Sequence, residues 1–280
     1  MRKTPSKRRL LWIVNHQTLM AAEVPILRSL GWEVFIPKLV PDDVSYRSAG
    51  VSSEWDASLT LPPTALDVLN LQNFYQHPWS PTLESIIDEH FDTLATTMSH
   101  YTMPLSEAAR KFKGTVVARV FGREHPERYS EWPKSTRRPG VLSELAAIGE
   151  RFVFGQSYEN LAEIEDEPLR SRAHTITVPL PPALYARAGS WRGDGSHALF
   201  LCPAINDTGY YANVYRGIKR VFGDLPHRIF GKQFGEISDP AVLPFQSDDE
   251  LIELYAAAPV FVYPSSEPRH LHYSPLEAMV

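Results

Sequence analysis

Short apolar runs alternate with amphipathic segments along most of the chain. Residues 10–14 and 115–121 are nearly continuous apolar runs, a pattern typical of strands buried on both faces of a parallel sheet. Gly31 and Gly114 follow the amphipathic segments as helix stops. The pattern predicts strands at 10–14, 32–37, 91–97, 115–121, 151–154 and 175–178, and helices at 22–30, 65–74, 104–112 and 158–164.

A second series of the same kind begins at residue 197. It predicts strands at 198–202, 228–230 and 260–263, with helices at 210–222 and 247–258. Residues 188–196 are polar and Gly-rich, which predicts a linker. The chain therefore reads as a first Rossmann-like domain at 1–187, a linker at 188–196, and a second Rossmann-like domain at 197–280. In such α/β sheets ligands bind outside the carboxyl ends of the strands, so we expect a cleft between the domains.

The last sixteen residues carry the strongest local signal. A predicted strand is followed by a polar loop, and then by Ser274 as a helix N-cap, Pro275 at the first helical position and Glu277 at the third. The N–H groups and the dipole of a helix N-terminus attract anions. An ordinary capped helix is the alternative interpretation.

These residues resemble a known donor-site signature. Tyr263-Pro264-Ser265, an acidic residue, a short loop and Ser-Pro-Leu-Glu-Ala-Met at 274–279 are similar to the signature of GT-B glycosyltransferases, above all family 4. The resemblance implies a GT-B architecture, in which two Rossmann-like domains face each other across a cleft and the second binds a nucleotide sugar.

The same resemblance assigns roles to individual residues. It implies that Glu277 binds the ribose, that the backbone at Tyr273 and Ser274 binds phosphates, and that Gly231 and Lys232 approach the donor, with Lys232 as the cation. Glu267 stands ten positions before Glu277, whereas the family spacing of eight falls on Arg269. Family relatives also place an Arg and a Lys after the first strand of this domain, and residues 203–211 contain neither.

The first domain is expected to bind the acceptor, a glycan or a lipid-linked molecule. His16, His100 and His125 all fall in loops that follow predicted strands. A neutral imidazole there would act as a general base or would bind a sugar hydroxyl, and a purely structural role is the alternative for each.

The sequence predicts neither a metal nor a cofactor. It contains no Asp-x-Asp pair to hold a metal against a diphosphate, and His270 with His272 alone makes a poor metal site. No Gly-x-Gly-x-x-Gly follows the first strand of either domain, which argues against a dinucleotide enzyme.

Composition limits the remaining classes. With 43% hydrophobic and 22% charged residues among 280, the chain has the balance of a soluble protein with real cores. The net charge of −5 argues against a nucleic-acid binder, and the single Cys202 suits a reducing compartment. We expect a cytoplasmic enzyme of polysaccharide or glycoconjugate assembly, with peripheral membrane contact through the basic residues 1–9 as an option. The uncapped helix at the end predicts an incomplete second domain that continues past Val280.

Two other functions fit the same pattern. A nucleotide-sugar epimerase of this fold would act without an acceptor. A non-catalytic glycosyltransferase-like domain would bind a glycan or a partner, and the altered Glu spacing and the missing Arg and Lys favour it.

Overall fold

The computed structural model describes residues 7–39, 56–99, 101–123, 127–136, 138–207, 209–265, 269 and 272–280. The chain divides into two compact units. Unit 1 ends at Pro181, and unit 2 begins at Pro182 and takes in the rest except a short segment at Arg269. The sequence had predicted that the first domain would end at residue 187.

Unit 1 is built on a six-stranded sheet in which every neighbouring pair is parallel. The strand order is β2-β1-β3-β4-β5-β6, so the chain starts inside the sheet and builds outward in both directions. Parallel neighbours need crossover connections, and this order places them on both faces. The strands are β1 (Arg9–Trp12), β2 (Glu33–Phe35), β3 (Thr93–Thr97), β4 (Thr115–Val120), β5 (Phe152–Gln156) and β6 (Ala173–Thr175).

The helices of unit 1 depart from the sequence prediction in three places. The predicted helix at 22–30 begins earlier, at Gln17, and Pro25 therefore lies inside it instead of in its first turn. Residues 158–164 form only a short 3₁₀ turn at Leu161–Ile164. Three helices, at residues 81–90, 132–135 and 141–148, were not predicted. The set is α1 (Gln17–Ser29), α2 (Pro63–Leu71), α3 (Pro81–His90), α4 (Met103–Lys111), α5 (Trp132–Ser135) and α6 (Val141–Ile148).

The largest apolar cluster described in unit 1 lies between the sheet and several of its helices. Leu94 on β3 and Phe154 on β5 are fully buried, and Leu105 and Leu145 pack on them from α4 and α6. The ring of Tyr129 meets Phe154 edge to face, with centroids 5.7 Å apart. The apolar strand runs of the sequence thus become the interior of this unit.

A group of hydrogen bonds to Glu33 connects polar residues at the amino end of the sheet. Glu33 at the start of β2 accepts hydrogen bonds from Lys7 Nζ at 2.9 Å, Arg9 Nε at 2.7 Å and Thr60 Oγ1 at 2.8 Å. Burial alone would raise the pKa of Glu33, but these hydrogen bonds lower it to about 2. Lys7 and Arg9 belong to the basic N-terminus, so two of its charges pair with Glu33. Membrane contact through that segment stays a prediction.

Unit 2 has a three-stranded parallel sheet in the order β8-β7-β9. Its second long helix begins with a capping box: Ser247 N donates to Glu250 Oε2 at 2.8 Å, and Glu250 N donates to Ser247 Oγ at 3.4 Å. The strands are β7 (Ala198–Leu201), β8 (His227–Phe230) and β9 (Phe261–Val262); the helices are α7 (Pro182–Tyr185), α8 (Gly209–Phe222), α9 (Asp248–Ala257) and α10 (Tyr273–Ala278).

Cys202 lies directly after β7, inside an apolar cluster with Phe200 and Ile229. Its side chain is 0% exposed, and burial raises the pKa of the thiol to about 12. A buried thiol with a raised pKa is unreactive, because the thiolate is the nucleophilic form.

The segment that the sequence predicted as a linker is bound to unit 2. The N–H groups of Arg192 and Gly193 both donate to the Ala256 carbonyl, at 2.7 and 3.1 Å, and Trp191 Nε1 donates to the Ala258 carbonyl at 2.9 Å. The C-terminal carbonyls of α9 are thereby satisfied by residues that lie far before it in sequence.

Across the part of the chain described, none of the helices combines the length and the apolar composition needed to cross a bilayer.

Candidate functional site

Three loops leave the carboxyl ends of the strands in unit 2, and one side chain joins two of them. Gln233 accepts a hydrogen bond from Ile205 N at 2.9 Å and donates to the carbonyls of Cys202 at 2.9 Å and Gly231 at 3.0 Å. The Ala204 N–H donates to the Lys232 carbonyl at 2.9 Å. The loops after β7 and β8 therefore form one fixed edge. Sequence reasoning did not single out Gln233, because no local pattern links it to a strand 30 residues away.

Gly231 has a structural reason to be glycine. Its φ of +127° lies in the region that disfavours side chains, and a Cβ would stand 2.8 Å from Pro203 N. The glycine thus permits a close approach between the loop after β8 and the loop after β7. The adjacent Lys232 places its ammonium 5.4 Å from the centroid of the Phe234 ring. Both residues lie on the predicted edge, and donor binding by either stays a prediction.

The last helix starts earlier than the sequence predicted, and this corrects the position of its cap. The N-cap of α10 is His272, without a side-chain capping bond, so Ser274 and Pro275 lie inside the first turn. Proline is tolerated there because first-turn N–H groups have no intrahelical partner. The prediction of Ser274 as N-cap is therefore wrong, and Ser274 and Tyr273 are buried, at 4% and 6% exposed. Their phosphate-binding role stays a prediction.

A cluster of polar side chains lies where β9 passes into α10. His272 Nδ1 shares a short hydrogen bond with the Tyr263 hydroxyl, and its Nε2 lies 3.4 Å from Ser265 Oγ. Ser265 in turn accepts from the Tyr210 hydroxyl at 3.4 Å, which connects the loop to the start of α8. His272 was considered only as a metal ligand from sequence, and its link to Tyr263 was missed.

Glu277 faces the interior of unit 2. It lines a small cavity of about 30 Å³ together with Arg187, Trp191 and Tyr255. That space holds about one water molecule. Because the N-cap is His272, Glu277 is not the third residue of the helix and does not complete a capping box. The ribose role that the resemblance implied stays a prediction, as does the role of Glu267, which lies outside the described residues.

In unit 1, His16 is the N-cap of α1. Its Nδ1 accepts a hydrogen bond from Leu19 N at 3.2 Å. A neutral imidazole that accepts through Nδ1 carries its proton on Nε2, so we infer a hydrogen-bond donor at that atom. Of the two roles suggested by the sequence, this geometry favours binding a hydroxyl over accepting a proton. His100 and His125 lie outside the described residues.

The loop that leads toward His125 is fixed where it leaves β4. The Tyr129 hydroxyl accepts from the N–H groups of Phe121 and Gly122, at 3.3 and 3.2 Å, and donates to the Gly122 carbonyl at 3.0 Å. Tyr129 is itself held by Glu165 Oε1, which accepts from its N–H at 2.9 Å. The direction of the chain after β4 is thus set by a buried side chain.

A buried ion pair near the carboxyl end of β4 was not predicted. Arg119 is 2% exposed, and its Nη2 pairs with Oε1 of Glu23 on α1. Burial raises the pKa of the Glu23 carboxyl, against the opposing effect of Arg119. The only sequence signal was one Arg within the apolar run at 115–121, and nothing local pointed to a partner 96 positions away.

In the regions that the structure covers, no group of three or more His, Cys, Asp or Glu side chains is arranged to hold a metal ion. The prediction of metal independence is not tested by this finding.

Comparison with known proteins identifies the fold. No protein-family model matches the chain, and no curated protein does. Among solved structures, a mutant of the O-GlcNAc transferase from Thermobaculum terrenum is similar, with a TM-score of 0.51 and 12% identity over 99% of this chain. The sucrose-phosphate synthase from Thermosynechococcus elongatus is similar with a TM-score of 0.52 and 13% identity over 98% of this chain. The chain has the fold of the GT-B glycosyltransferases.

This chain covers a different share of the length of each of these two solved structures. The chain spans about half the length of the first, 52%, and 79% of the second. Both likenesses are of fold, because the identities are low. The predicted α/β class and GT-B architecture are confirmed, while membership of family 4 stays a prediction.

Proposed function

We propose that this chain belongs to a glycosyltransferase that moves a sugar from a nucleotide-sugar donor to a glycan or lipid-linked acceptor. The observation that carries the proposal is the GT-B fold, shared with two solved structures over 98–99% of the chain. A fold by itself hosts several activities, so the proposal is drawn from the sites as well.

In this proposal unit 2 binds the donor along the carboxyl ends of β7, β8 and β9. The edge joined by Gln233 carries Lys232, and the neighbouring cluster carries Tyr263 and His272. A nucleotide sugar contains a diphosphate. Phosphate oxygens accept hydrogen bonds from groups such as a lysine ammonium, a histidine N–H and a hydroxyl.

Unit 1 binds the acceptor in the same proposal. His16 lies at the carboxyl end of β1, and Phe121 follows β4, with 5.7 Å between the two ring centroids. A ring and an N–H donor at one edge of a sheet suit a sugar ring and one of its hydroxyls.

The test is a transfer assay with a panel of UDP-, GDP-, ADP- and dTDP-sugars, in which release of nucleoside diphosphate and thermal stabilisation are measured together. We expect one nucleotide class to stabilise the protein and to be consumed only when acceptor is present. Conversion of the donor without an acceptor would indicate an epimerase. The absence of any nucleotide binding would indicate the non-catalytic domain.

Two further experiments test how the leaving nucleoside diphosphate is stabilised. Activity is expected to survive EDTA, because a lysine and a histidine replace the metal in this proposal; loss that manganese or magnesium restores would contradict it. Lys232→Gln should weaken nucleotide binding, whereas Arg220→Gln, an exposed charge on α8, should not. Equal effects of both substitutions would remove Lys232 from the donor site.

A further inference from the structure

Arg119 occupies a position where an arginine is costly. It lies on β4, an inner strand whose other buried positions are Val116, Ala118 and Val120, and its side chain is 98% buried. Moving a guanidinium and a carboxylate out of water costs several kcal/mol per ion, and a buried pair is often no more stable than apolar residues of the same size. Stability alone therefore does not explain the pair.

The hydrogen bonds of Arg119 are incomplete in a specific way. Nη1 donates to the carbonyls of Gly155 at 3.3 Å and Ile176 at 3.1 Å, and Nη2 donates to Glu23 Oε1. Nε is buried and has no hydrogen-bond partner among the described residues. The Nε–Nη2 edge is the side of a guanidinium that binds two oxygens of one carboxylate or phosphate. Here Glu23 fills half of it, with one oxygen.

The surroundings of this edge suit a carbohydrate. The Arg119 guanidinium lies 5.6 Å from the centroid of the Phe121 ring, and the His16 imidazole lies 5.7 Å from the same ring. Phe121, His16 and Glu23 are partly exposed, while Arg119 lies buried behind them. The group therefore offers an aromatic ring, the inferred Nε2–H of His16 and, once Glu23 moves aside, a bidentate cation.

We propose that the Nε–Nη2 edge of Arg119 binds the carboxylate or phosphate of an anionic sugar, and that Glu23 occupies this place when the ligand is absent. The inference deepens the proposed function, because it makes the acceptor bound by unit 1 an acidic carbohydrate. Exchange of one carboxylate for another keeps the buried charge balanced. The incoming anion gains the second hydrogen bond that Glu23 does not make, and Glu23 regains its hydration.

Binding is measured by isothermal titration with glucuronate and glucose 6-phosphate, with glucose as the uncharged comparison. We expect one of the two anions to bind and glucose not to bind. Glucuronate and the sugar phosphate distinguish the two anion sources. Binding of glucose with equal affinity, or of neither anion, would overturn the proposal.

Two substitutions locate the site. Glu23→Gln removes the competing charge and keeps its volume, so the affinity for the anion should rise by about tenfold, the effect of one charge-assisted hydrogen bond. Glu107→Gln is the matched control: Glu107 is also buried, at 2% exposed, and is paired with Lys111 at 2.8 Å, so it should leave the affinity unchanged. A similar gain in both variants, or none in Glu23→Gln, would contradict the proposal.

Arg119→Lys completes the set, because it keeps the charge but has no two-donor edge; anion binding should be lost. Should that variant fail to fold, the contrast between Glu23→Gln and Glu107→Gln still decides. These titrations need neither donor nor turnover. Anion binding without transfer would leave this site standing and reject the glycosyltransferase proposal, and transfer to neutral acceptors only would do the reverse.

Discussion

Unit 1 and unit 2 are built from the same elements, parallel strands joined by helices, but their interiors differ. In unit 1 one large apolar cluster runs from Leu11 on β1 to Leu169 near β6. In unit 2 two of the buried clusters hold five and three residues. Large apolar side chains face solvent in both units, among them Leu30 at 70% exposed in unit 1 and Phe245 at 67% exposed in unit 2.

Polar side chains also connect a loop of unit 2 to one of its helices. Asp239 Oδ2 accepts from the Tyr215 hydroxyl at 2.7 Å and from Lys219 Nζ at 2.8 Å, and Asp239 Oδ1 accepts from Ala241 N at 2.9 Å. Lys219 and Tyr215 lie on α8, so this polar connection joins the helix to the loop that carries Asp239. The comparison teaches that polar connections occur in both units, whereas a large continuous apolar cluster is found in unit 1.

The largest effect is expected in the core of unit 1. Phe154→Ala should lower its free energy of unfolding by about 3–5 kcal/mol, because a large cavity remains in closely packed surroundings. Phe200→Ala in unit 2 should fall at the low end of that range, since its smaller cluster can collapse around the gap. Hydrogen exchange read by mass spectrometry in urea separates the two units. Equal costs would mean that the two interiors are packed alike.

Glu277→Gln asks whether the partly buried Glu277 carboxylate of unit 2 is structural or binds ligand. Under the ribose hypothesis it should lower nucleotide affinity by about 1.5–3 kcal/mol, the value of a hydrogen bond to a charged group, with the melting temperature nearly unchanged. Glu253→Gln on α9, an exposed residue, serves as control. Unchanged affinity together with a lower melting temperature would assign Glu277 to the interior alone.

Asp239→Ala tests the polar connection of unit 2. It leaves Tyr215, Lys219 and the Ala241 N–H without their acceptor, so unit 2 should lose about 1–3 kcal/mol while unit 1 is unaffected. Asp224 is an exposed residue just after α8, and Asp224→Ala should leave the stability of unit 2 nearly unchanged. The readout is again hydrogen exchange resolved by unit. A loss shared by both units would show that they unfold together.

The smallest expected effect is a loss of thermal stability at low pH. The pKa of Glu33 in unit 1 and that of Asp239 in unit 2 are both lowered to about 2, in each case by hydrogen bonds that outweigh burial. A lowered carboxyl pKa adds stability that is fully present above the unfolded value and is lost as pH falls toward the folded one. Both units should therefore melt at lower temperature as pH falls from about 5 to 2.

Substitution assigns that acid response to its residues. Glu33→Gln should flatten the pH dependence of unit 1 only, and Asp239→Asn that of unit 2 only. A curve that keeps its slope in both variants would place the responsible carboxylates elsewhere.

The strands were the part of the fold that the sequence predicted best, because an apolar run such as 115–121 has few other uses in a soluble chain. The missed helices had weaker signals. Gly140 precedes α6 without a side-chain cap, and α3, although capped by Ser80, lies at the end of a proline-rich stretch that suggested loops. His16 is an uncommon N-cap, so the true start of α1 was missed.

For the candidate sites, the sequence could predict only which residues come directly after a strand. Position after a strand correctly placed His16 and Lys232 at carboxyl ends. The pairings that give those edges their chemistry join residues far apart, Glu23 with Arg119 and Ile205 with Gln233. No spacing rule covers them, because they are decided by which strands become neighbours and how the helices lie across them.

The state of Cys202 has a practical consequence for experiments on this protein. It is the single cysteine of the sequence, and burial raises the pKa of its thiol to about 12, so the thiol stays protonated at pH 8. Maleimides react with the thiolate, and this one is also shielded from reagent. A cysteine introduced at an exposed position, such as Leu71→Cys at 80% exposed, can thus carry a fluorophore or spin label in the otherwise native chain, without prior removal of Cys202.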